Sequence, residues 1–288
     1  MFEAGCPRMD GQAEGGVGVV VASRAPRVAV LIPVYNAADR VARTLRSVDV
    51  QDGSFDIFVV DDGSTPPLRI DQRDYRHRIR LIRLPRNSGI VVALNTGLAE
   101  IMAGGYEFVV RQDAGDVDIG PRIERQVAAL TADPSLAVVG CWTEFVDLDG
   151  SEGYVYRAPL DEASIRRRMH FSPSFIHPAC TIRISALRQV GIYTNRYPHA
   201  EDYDLFFRLI RAFPTRNLPE ILIASEINPD GISSASRRAA LISRIRIQLH
   251  YFSLKSPYAY IGLLRSLLFL VAPNSLLLRL KLRRKVVN

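Results

Sequence analysis

Short apolar runs that alternate with helix-like stretches constrain the fold of this chain more than any other feature. Four runs rich in Val, Ile, Leu and Phe have the composition of buried strands: residues 27–33, 55–60, 79–84 and 106–110. The stretches that separate or follow them carry apolar residues at helical spacing: residues 37–48, 90–102 and 121–130. Strands alternating with helices predict βαβ units, so we expect an α/β fold with a mostly parallel central sheet.

Polar clusters follow three of these strands, at Tyr35-Asn36, at Asp61-Asp62 and at residues 113–116. In open α/β sheets, ligands bind beyond the carboxyl ends of the strands, so we expect one site to collect the three clusters. The first strand is not followed by GxGxxG, and the chain contains no GxxxxGK[ST] pattern. A bound diphosphate would therefore be held by a metal ion or by cationic side chains.

Each cluster also has a purely structural interpretation when it is taken alone. Asp61-Asp62-Gly63-Ser64 has the composition of a turn, and Glu201-Asp202 would meet the dipole of the amphipathic helix that follows it. As chemistry, a carboxylate at 201–202 could act as a general base. His177, which precedes a proline, is interpreted as a core or loop histidine.

The order of the segments carries more information than any one of them. The chain resembles the family 2 glycosyltransferases in five segments over residues 27–225: VAVLIPVYNAADRVARTLRSV, FVVDDGST, LPRNSGIVVALNTGL, RQDAGDVDIGPRIERQ and AEDYDLFFRL. This resemblance implies the Rossmann-like GT-A fold in a single catalytic domain. It also implies a nucleotide-sugar donor, commonly a UDP-sugar, and transfer with inversion at the anomeric carbon.

The resemblance also assigns roles to residues. The donor would be bound by residues that match four parts of the family pattern. Pro33, Tyr35 and Asn36 match the segment that lines the base pocket, and Asp62 matches the carboxylate that contacts the uracil, with Asp61 as its neighbour. Asn87 and Gly89 match the loop that borders the nucleotide, and Asp113 matches the first acid of the DxD motif. Asp202, preceded by Glu201, matches the catalytic base.

One position departs from the family pattern. Gly115 stands where the family's usual DADD motif has the aspartate that binds a divalent cation. Losing that carboxylate removes an oxygen ligand of the kind that a hard cation prefers. Three outcomes follow: a weakened manganese or magnesium site at Asp113 and Asp116, metal-free catalysis by arginines such as Arg86 or Arg111, or an inactive protein. We expect an active enzyme with a weakened metal site.

The ends of the chain differ from its middle. We expect a flexible Gly-rich tail at 1–26, a catalytic domain at 27–235 and a basic, amphipathic helical segment at 236–288. Apolar residues beside basic ones in that segment suit an anionic membrane surface, and a helical cap packed on the catalytic domain is the alternative. Nucleic acid is disfavoured because the basic cluster is terminal and lacks interleaved aromatic residues.

The remaining composition bounds the location and the function. The three cysteines include no CxxC pair, and no stretch has the length of a secretory signal or a simple transmembrane helix. We expect a cytoplasmic protein, peripheral at the inner face of the membrane. The expected function is transfer of a sugar to a saccharide or lipid-linked acceptor during surface polysaccharide or glycan synthesis. The alternative is a catalytically silent nucleotide-binding scaffold of a glycan-assembly complex.

Overall fold

A nine-stranded sheet forms the centre of the computed structural model, which describes residues 1, 25–147, 153–227 and 237–271. The strands, in chain order, are β1 (Val28–Val34), β2 (Phe55–Asp61), β3 (Arg78–Arg83), β4 (Phe108–Arg111), β5 (Val117–Asp118), β6 (Val138–Asp147), β7 (Gly153–Tyr156), β8 (Thr181–Arg183) and β9 (Thr215–Ile227). Their order across the sheet is β3-β2-β1-β4-β8-β6-β9-β5, and β7 pairs with β6 outside this path.

Most paired residues of the sheet lie in parallel ladders, as the sequence predicts. Strands β3, β2, β1 and β4 are mutually parallel, and β6 runs parallel to β9. The other pairings are antiparallel. The carboxyl ends of the first four strands therefore meet at one edge, where the sequence places its polar clusters.

Strand β1 continues one residue past Pro33, where the sequence predicted its end. Successive residues of a strand face opposite neighbours. The carbonyl of Leu31 accepts a hydrogen bond from Gln112 beyond β4, whereas that of Val34 accepts one from Asp62 beyond β2. The nitrogen of Pro33 therefore faces the β4 side, where pairing with β4 ends at Leu31. The amide donor that proline lacks is not needed there.

Helices cover both faces of the sheet. They are α1 (Ala38–Asp49), α2 (Ile90–Ala103), α3 (Arg122–Ala132), α4 (Glu162–Met169), α5 (Ile184–Val190), α6 (Glu201–Ala212), α7 (Arg237–His250) and α8 (Pro257–Val271). Val30 and Ile32 belong to one buried cluster with residues of α1 and α3, while Leu31 belongs to another with residues of α2 and α6. This alternation is the two-residue period of a strand that is buried on both faces.

The last two helices pack directly on the catalytic domain. Ile247 of α7 is fully buried in the core cluster that contains α6. The ring of Tyr251 stacks on Phe207 with centroids 4.8 Å apart, and its hydroxyl donates to Asp204 at 2.8 Å. Gly262 of α8 lies so close to the carbonyl of His170 that a Cβ would overlap it. Residues 237–271 thus pack against the rest of the protein, as the cap alternative expects. Most of the predicted tail, the junction at residue 235 and the terminal basic cluster lie outside the described residues.

Candidate active site

The loops that follow β1 and β2 are joined by Asn36. Its backbone nitrogen donates to Ser64 Oγ at 2.9 Å, and its side-chain Oδ1 accepts from the nitrogen of Thr65 at 2.9 Å. Asn36 has a φ of 48°, a left-handed conformation that asparagine tolerates better than most residues. The neighbouring Tyr35 remains 48% exposed, so an aromatic side chain lies open at the edge where the strands end.

Asp62 connects the turn after β2 to the loop before α2. Its Oδ1 accepts from the nitrogen of Ser88 at 2.7 Å, and its Oδ2 accepts from that of Gly89 at 2.9 Å. Gly63 allows this close approach, because a Cβ on it would lie 2.6 Å from the nitrogen of Asn87. Asp62 is itself only 4% exposed, and each of its carboxylate oxygens has a second lone pair.

Asp61, like Asp62, is buried, but its carboxylate has different partners. Its carboxylate accepts from the nitrogens of Ser64 at 2.8 Å and Leu68 at 3.2 Å, and it pairs with Arg83 at 3.0 Å. Burial alone would raise the pKa of Asp61, but these hydrogen bonds and the charge of Arg83 together lower it. Asp61 shapes the turn that presents Asp62. Pro33 is likewise buried, inside β1.

The stretch RQDAGD comprises the last residue of β4 and the loop after it, and Thr44 of α1 holds this loop in place. The Thr44 hydroxyl donates to the carbonyl of Asp116 at 2.8 Å and accepts from the nitrogen of Gly115 at 2.9 Å. Arg111 is buried, and its guanidinium forms an ion pair with Asp113. The Asp113 side chain remains 42% exposed, so it is the carboxylate of this loop that solvent and ligands can reach.

Asp116 points into the protein and is only 4% exposed. Its Oδ1 accepts from the hydroxyl of Ser225 on β9 at 2.7 Å, and its Oδ2 has no hydrogen-bond partner among the described residues. Burial, followed by the charge of Asp113, raises the pKa of Asp116 to about 7. At neutral pH this carboxyl is therefore partly protonated, and a metal binds only the deprotonated form.

Gly115 has a φ of +113° and lies against a guanidinium. A Cβ built on Gly115 would be 2.6 Å from Arg40 Nη2 and 2.7 Å from Arg40 Nε. Arg40, from the first turn of α1, pairs with Glu226 at 3.2 Å, and Arg43 pairs with the same carboxylate at 2.5 Å. Positive charge therefore occupies the space into which an aspartate at position 115 would project.

These residues do not fit a divalent cation held by the loop. Among the described residues, no three His, Cys, Asp or Glu side chains are grouped closely enough to hold a metal ion. Asp113 is already paired with Arg111, and Asp116 is buried against Ser225. A guanidinium at Gly115 would also repel a cation at short range. The geometry departs from the expected manganese or magnesium site at Asp113 and Asp116.

The first turn of α6 carries the other predicted carboxylates. Burial, followed by the charge of Glu201, raises the pKa of Asp202 to about 7. Burial also raises the pKa of Glu201, an effect that the charge of Arg111 opposes and that of Asp113 reinforces. The start of α6 therefore lies within electrostatic range of the loop after β4, although the two segments are some ninety residues apart in the sequence.

A partly buried histidine lies within electrostatic range of Arg111. The Nε2 of His177 is 2.7 Å from the hydroxyl of Tyr193. Burial, helped by the charge of Arg111, lowers the pKa of His177 well below its usual value, so the ring is neutral. The sequence interpretation of a core or loop histidine agrees with this position.

Comparison with known proteins identifies the family. The family model described as Glycosyl transferase family 2 matches residues 29–191, which is more than half of the chain. The chain belongs to glycosyl transferase family 2. The curated relatives are glycosyltransferases, and this protein is one as well.

Two relatives and two solved structures illustrate the match. The putative glycosyltransferase EpsE of Bacillus subtilis is 27% identical over 91% of this chain and 95% of its own. An Escherichia coli enzyme named UDP-Gal:alpha-D-GlcNAc-diphosphoundecaprenol beta-1,3-galactosyltransferase is 26% identical over 79% of this chain and 84% of its own. Residues 1–349 of Staphylococcus aureus TarS superpose with a TM-score of 0.61 at 18% identity, covering 86% of this chain and 73% of theirs. The mannosyltransferase PcManGT of Pyrobaculum calidifontis, solved with GDP-Man and Mn2+, gives 0.58 at 18% identity, with 86% and 70% covered. The fold of this family 2 glycosyltransferase is thus the expected GT-A fold.

Several residues of the site have no signal in the sequence. Arg40, which lies at Gly115, pairs with Glu226, and Ser225 contacts Asp116, although these residues are far apart along the chain. In the sequence, Gly115 itself indicates that this part of the site is unusual, because a carboxylate is missing there and another charge would have to compensate for it. The arginines suggested by sequence position were Arg86 and Arg111, whereas the guanidinium at Gly115 belongs to α1.

Proposed function

We propose that this protein is an inverting glycosyltransferase that uses a nucleotide-sugar donor, most simply a UDP-sugar. The acceptor is a saccharide or a lipid-linked saccharide in surface polysaccharide assembly. The observation that carries the proposal is Asp202, a carboxyl with a pKa of about 7 that begins α6 within electrostatic range of the loop bearing Asp113. The names of relatives support the substrates: one states a UDP-galactose donor and a diphosphoundecaprenol acceptor, and TarS was solved with UDP-GlcNAc.

Asp202 is the general base of the proposed reaction. It takes the proton of an acceptor hydroxyl while the oxygen attacks the anomeric carbon. The bond from that carbon to the phosphate oxygen breaks on the opposite side, and the nucleoside diphosphate leaves with the electron pair. A base whose pKa lies near the working pH is the most effective, because it is both available and strong enough. Burial of the first turn of α6 provides that pKa in Asp202.

The donor's nucleoside is assigned to the edge where β1, β2 and β3 end. Tyr35 offers an exposed ring face for a base, and Asp62 retains lone pairs for an NH group or a ribose hydroxyl. The loop of Asn87 and Gly89, which Asp62 holds in place, borders the same space. These roles, like that of Asp113 beside the diphosphate, are part of the proposal.

The proposed function is tested with a panel of UDP-sugars and GDP-sugars. Thermal stability is measured first, since a ligand that binds the folded state raises it. Release of nucleoside diphosphate is then measured with and without saccharide acceptors for the donors that bind. Turnover that requires an acceptor and yields the inverted anomer supports the proposal. Binding without turnover on any donor would instead support the scaffold alternative.

The surface of α8 supports a membrane-associated acceptor. Ala259, Gly262 and Ser266 face the catalytic domain, whereas the other sides of the helix expose apolar residues: Tyr258, Tyr260, Ile261, Leu264, Leu267, Leu268 and Val271. No helix in 25–147, 153–227 or 237–271 is long and apolar enough to cross a membrane. We propose that α8 lies on an anionic membrane surface with this face in the interfacial region.

A further inference from the structure

Arg40 is held where a metal ligand would otherwise project. Its Nη2 and Nε lie 2.6 Å and 2.7 Å from the Cβ that any side chain at position 115 would need. A carboxylate at 115 would extend into the guanidinium itself. Glycine is therefore the residue that lets this side chain reach the loop after β4. The residue that removes the carboxylate at position 115 is therefore also the residue that makes room for the Arg40 guanidinium.

The charges around Arg40 do not cancel. Arg40 and Arg43 share a single carboxylate, that of Glu226, whose side chain is only 7% exposed. Two guanidiniums paired with one carboxylate leave one positive charge uncompensated. The Arg40 side chain is 33% exposed, and its Nε has no hydrogen-bond partner among the described residues, although it lies 3.2 Å from Glu226 Oε2. Arg111, by contrast, already pairs with Asp113 of the same loop.

We propose that Arg40 binds the diphosphate of the donor and takes the place of the divalent cation. This inference rests on the proposed function. Negative charge builds on the diphosphate oxygens as their bond to the anomeric carbon breaks, and a fixed guanidinium stabilises that charge without giving up a proton. The proton of the acceptor still goes to Asp202. The charge of Arg40 replaces that of the cation, so catalysis needs no added metal.

A structural role for Arg40 predicts something different. If Arg40 only clamps α1 to β9 through Glu226, then Arg43 is its equivalent, because it pairs with the same carboxylate from the same helix. The three heavy atoms nearest to a Cβ at Gly115 all belong to Arg40, and none belongs to Arg43. Arg43→Gln is therefore the matched control: it removes one guanidinium from the clamp and leaves the loop after β4 untouched.

Binding is measured by calorimetry in chelator for UDP, GDP, uridine and guanosine. We expect Arg40→Gln to weaken binding of the preferred diphosphate about ten- to a hundredfold, the usual range for a charged hydrogen-bonded pair, and to leave nucleoside binding unchanged. Arg40→Lys, which keeps the charge, should lose less and guards against a folding defect in the first variant. Arg43→Gln should bind the diphosphate within about threefold of wild type, because Arg40 and not Arg43 lies nearest to Gly115.

A second measurement exchanges the charge at position 115. In Gly115→Asp the new carboxylate meets Arg40, so manganese affinity with UDP present should stay at the wild-type level. Adding Arg40→Ala to Gly115→Asp should create manganese binding that neither single variant has. Equal diphosphate affinity in Arg40→Gln and Arg43→Gln, or wild-type binding that requires manganese, would overturn the role of Arg40. A wild type that binds no nucleotide in any condition would overturn the proposed function as well.

Discussion

Replacement of Asp202 by asparagine should remove activity and yet stabilise the protein. The pKa of this carboxyl rises from 3.8 to about 7 on folding, chiefly through burial. A shift of about 3 units corresponds to roughly 4 kcal/mol of free energy of unfolding at full ionisation. Because Asp202 keeps partial contact with solvent, we expect roughly half of that, about 2 kcal/mol.

The sign follows from the raised pKa. Below the unfolded pKa the carboxyl is neutral in both states, so it costs the folded protein nothing. As the pH rises from about 4 to about 7, the carboxyl ionises in the unfolded state but holds its proton in the folded state, so stability is lost until the folded carboxyl ionises as well. Asp202→Asn should therefore be more stable than wild type at about pH 8 and nearly equal to it at about pH 4.

Activity should respond in the opposite direction. Wild-type kcat/KM should rise about tenfold per pH unit up to about pH 7, as the base deprotonates. Asp202→Asn should lose on the order of a hundredfold or more at neutral pH and should lack that acid limb. Asp202→Glu, which restores a carboxylate, is the conservative control and should recover part of the rate.

The assays are urea unfolding at the two pH values and initial rates across the pH range. A variant with near-wild-type turnover would remove Asp202 from the mechanism. If the variant and the wild type were equally stable at about pH 8, the buried charge of ionised Asp202 would not destabilise the folded state, and the reasoning from burial would be wrong.

Three further predictions concern other parts of the molecule. Glu201→Gln removes the charge that helps raise the pKa of the base, so the acid limb of kcat/KM should move to lower pH; an unmoved limb would exclude this coupling. Gly63→Ala should lower the free energy of unfolding by about 2–4 kcal/mol, because the new Cβ would overlap the backbone before α2 and φ is +73°. Gly53→Ala is the control: φ is +111° and nothing lies within 4 Å of its Cβ, so it should cost about 1 kcal/mol in the same urea titration. Leu268→Ser on α8 should weaken sedimentation with anionic vesicles severalfold, while Leu81→Ser, an exposed leucine on β3, should not; equal binding of the two variants would argue against α8 as the membrane contact.

The sequence predicted the regular elements closely because their signals are local. Apolar β-branched runs and the 3.6-residue period depend on neighbours a few positions away, so β2 and α2 begin where the sequence places them. The predicted end of β1 was one residue too early. Whether β1 can continue past Pro33 depends on where its pairing with β4 ends, which the sequence of β1 does not show. Motif order then led to the family, which the comparisons confirm.

The chemical state of the site was decided by contacts between distant segments. The sequence gives the same letter to Asp113 and Asp116, yet one is exposed and the other is buried against Ser225, more than a hundred residues later in the chain. Gly115 reads as a missing ligand in the sequence, and only packing of α1 against the loop shows that Arg40 fills its place. Burial and charge set a pKa and a binding preference, and both arise from residues that folding alone brings together.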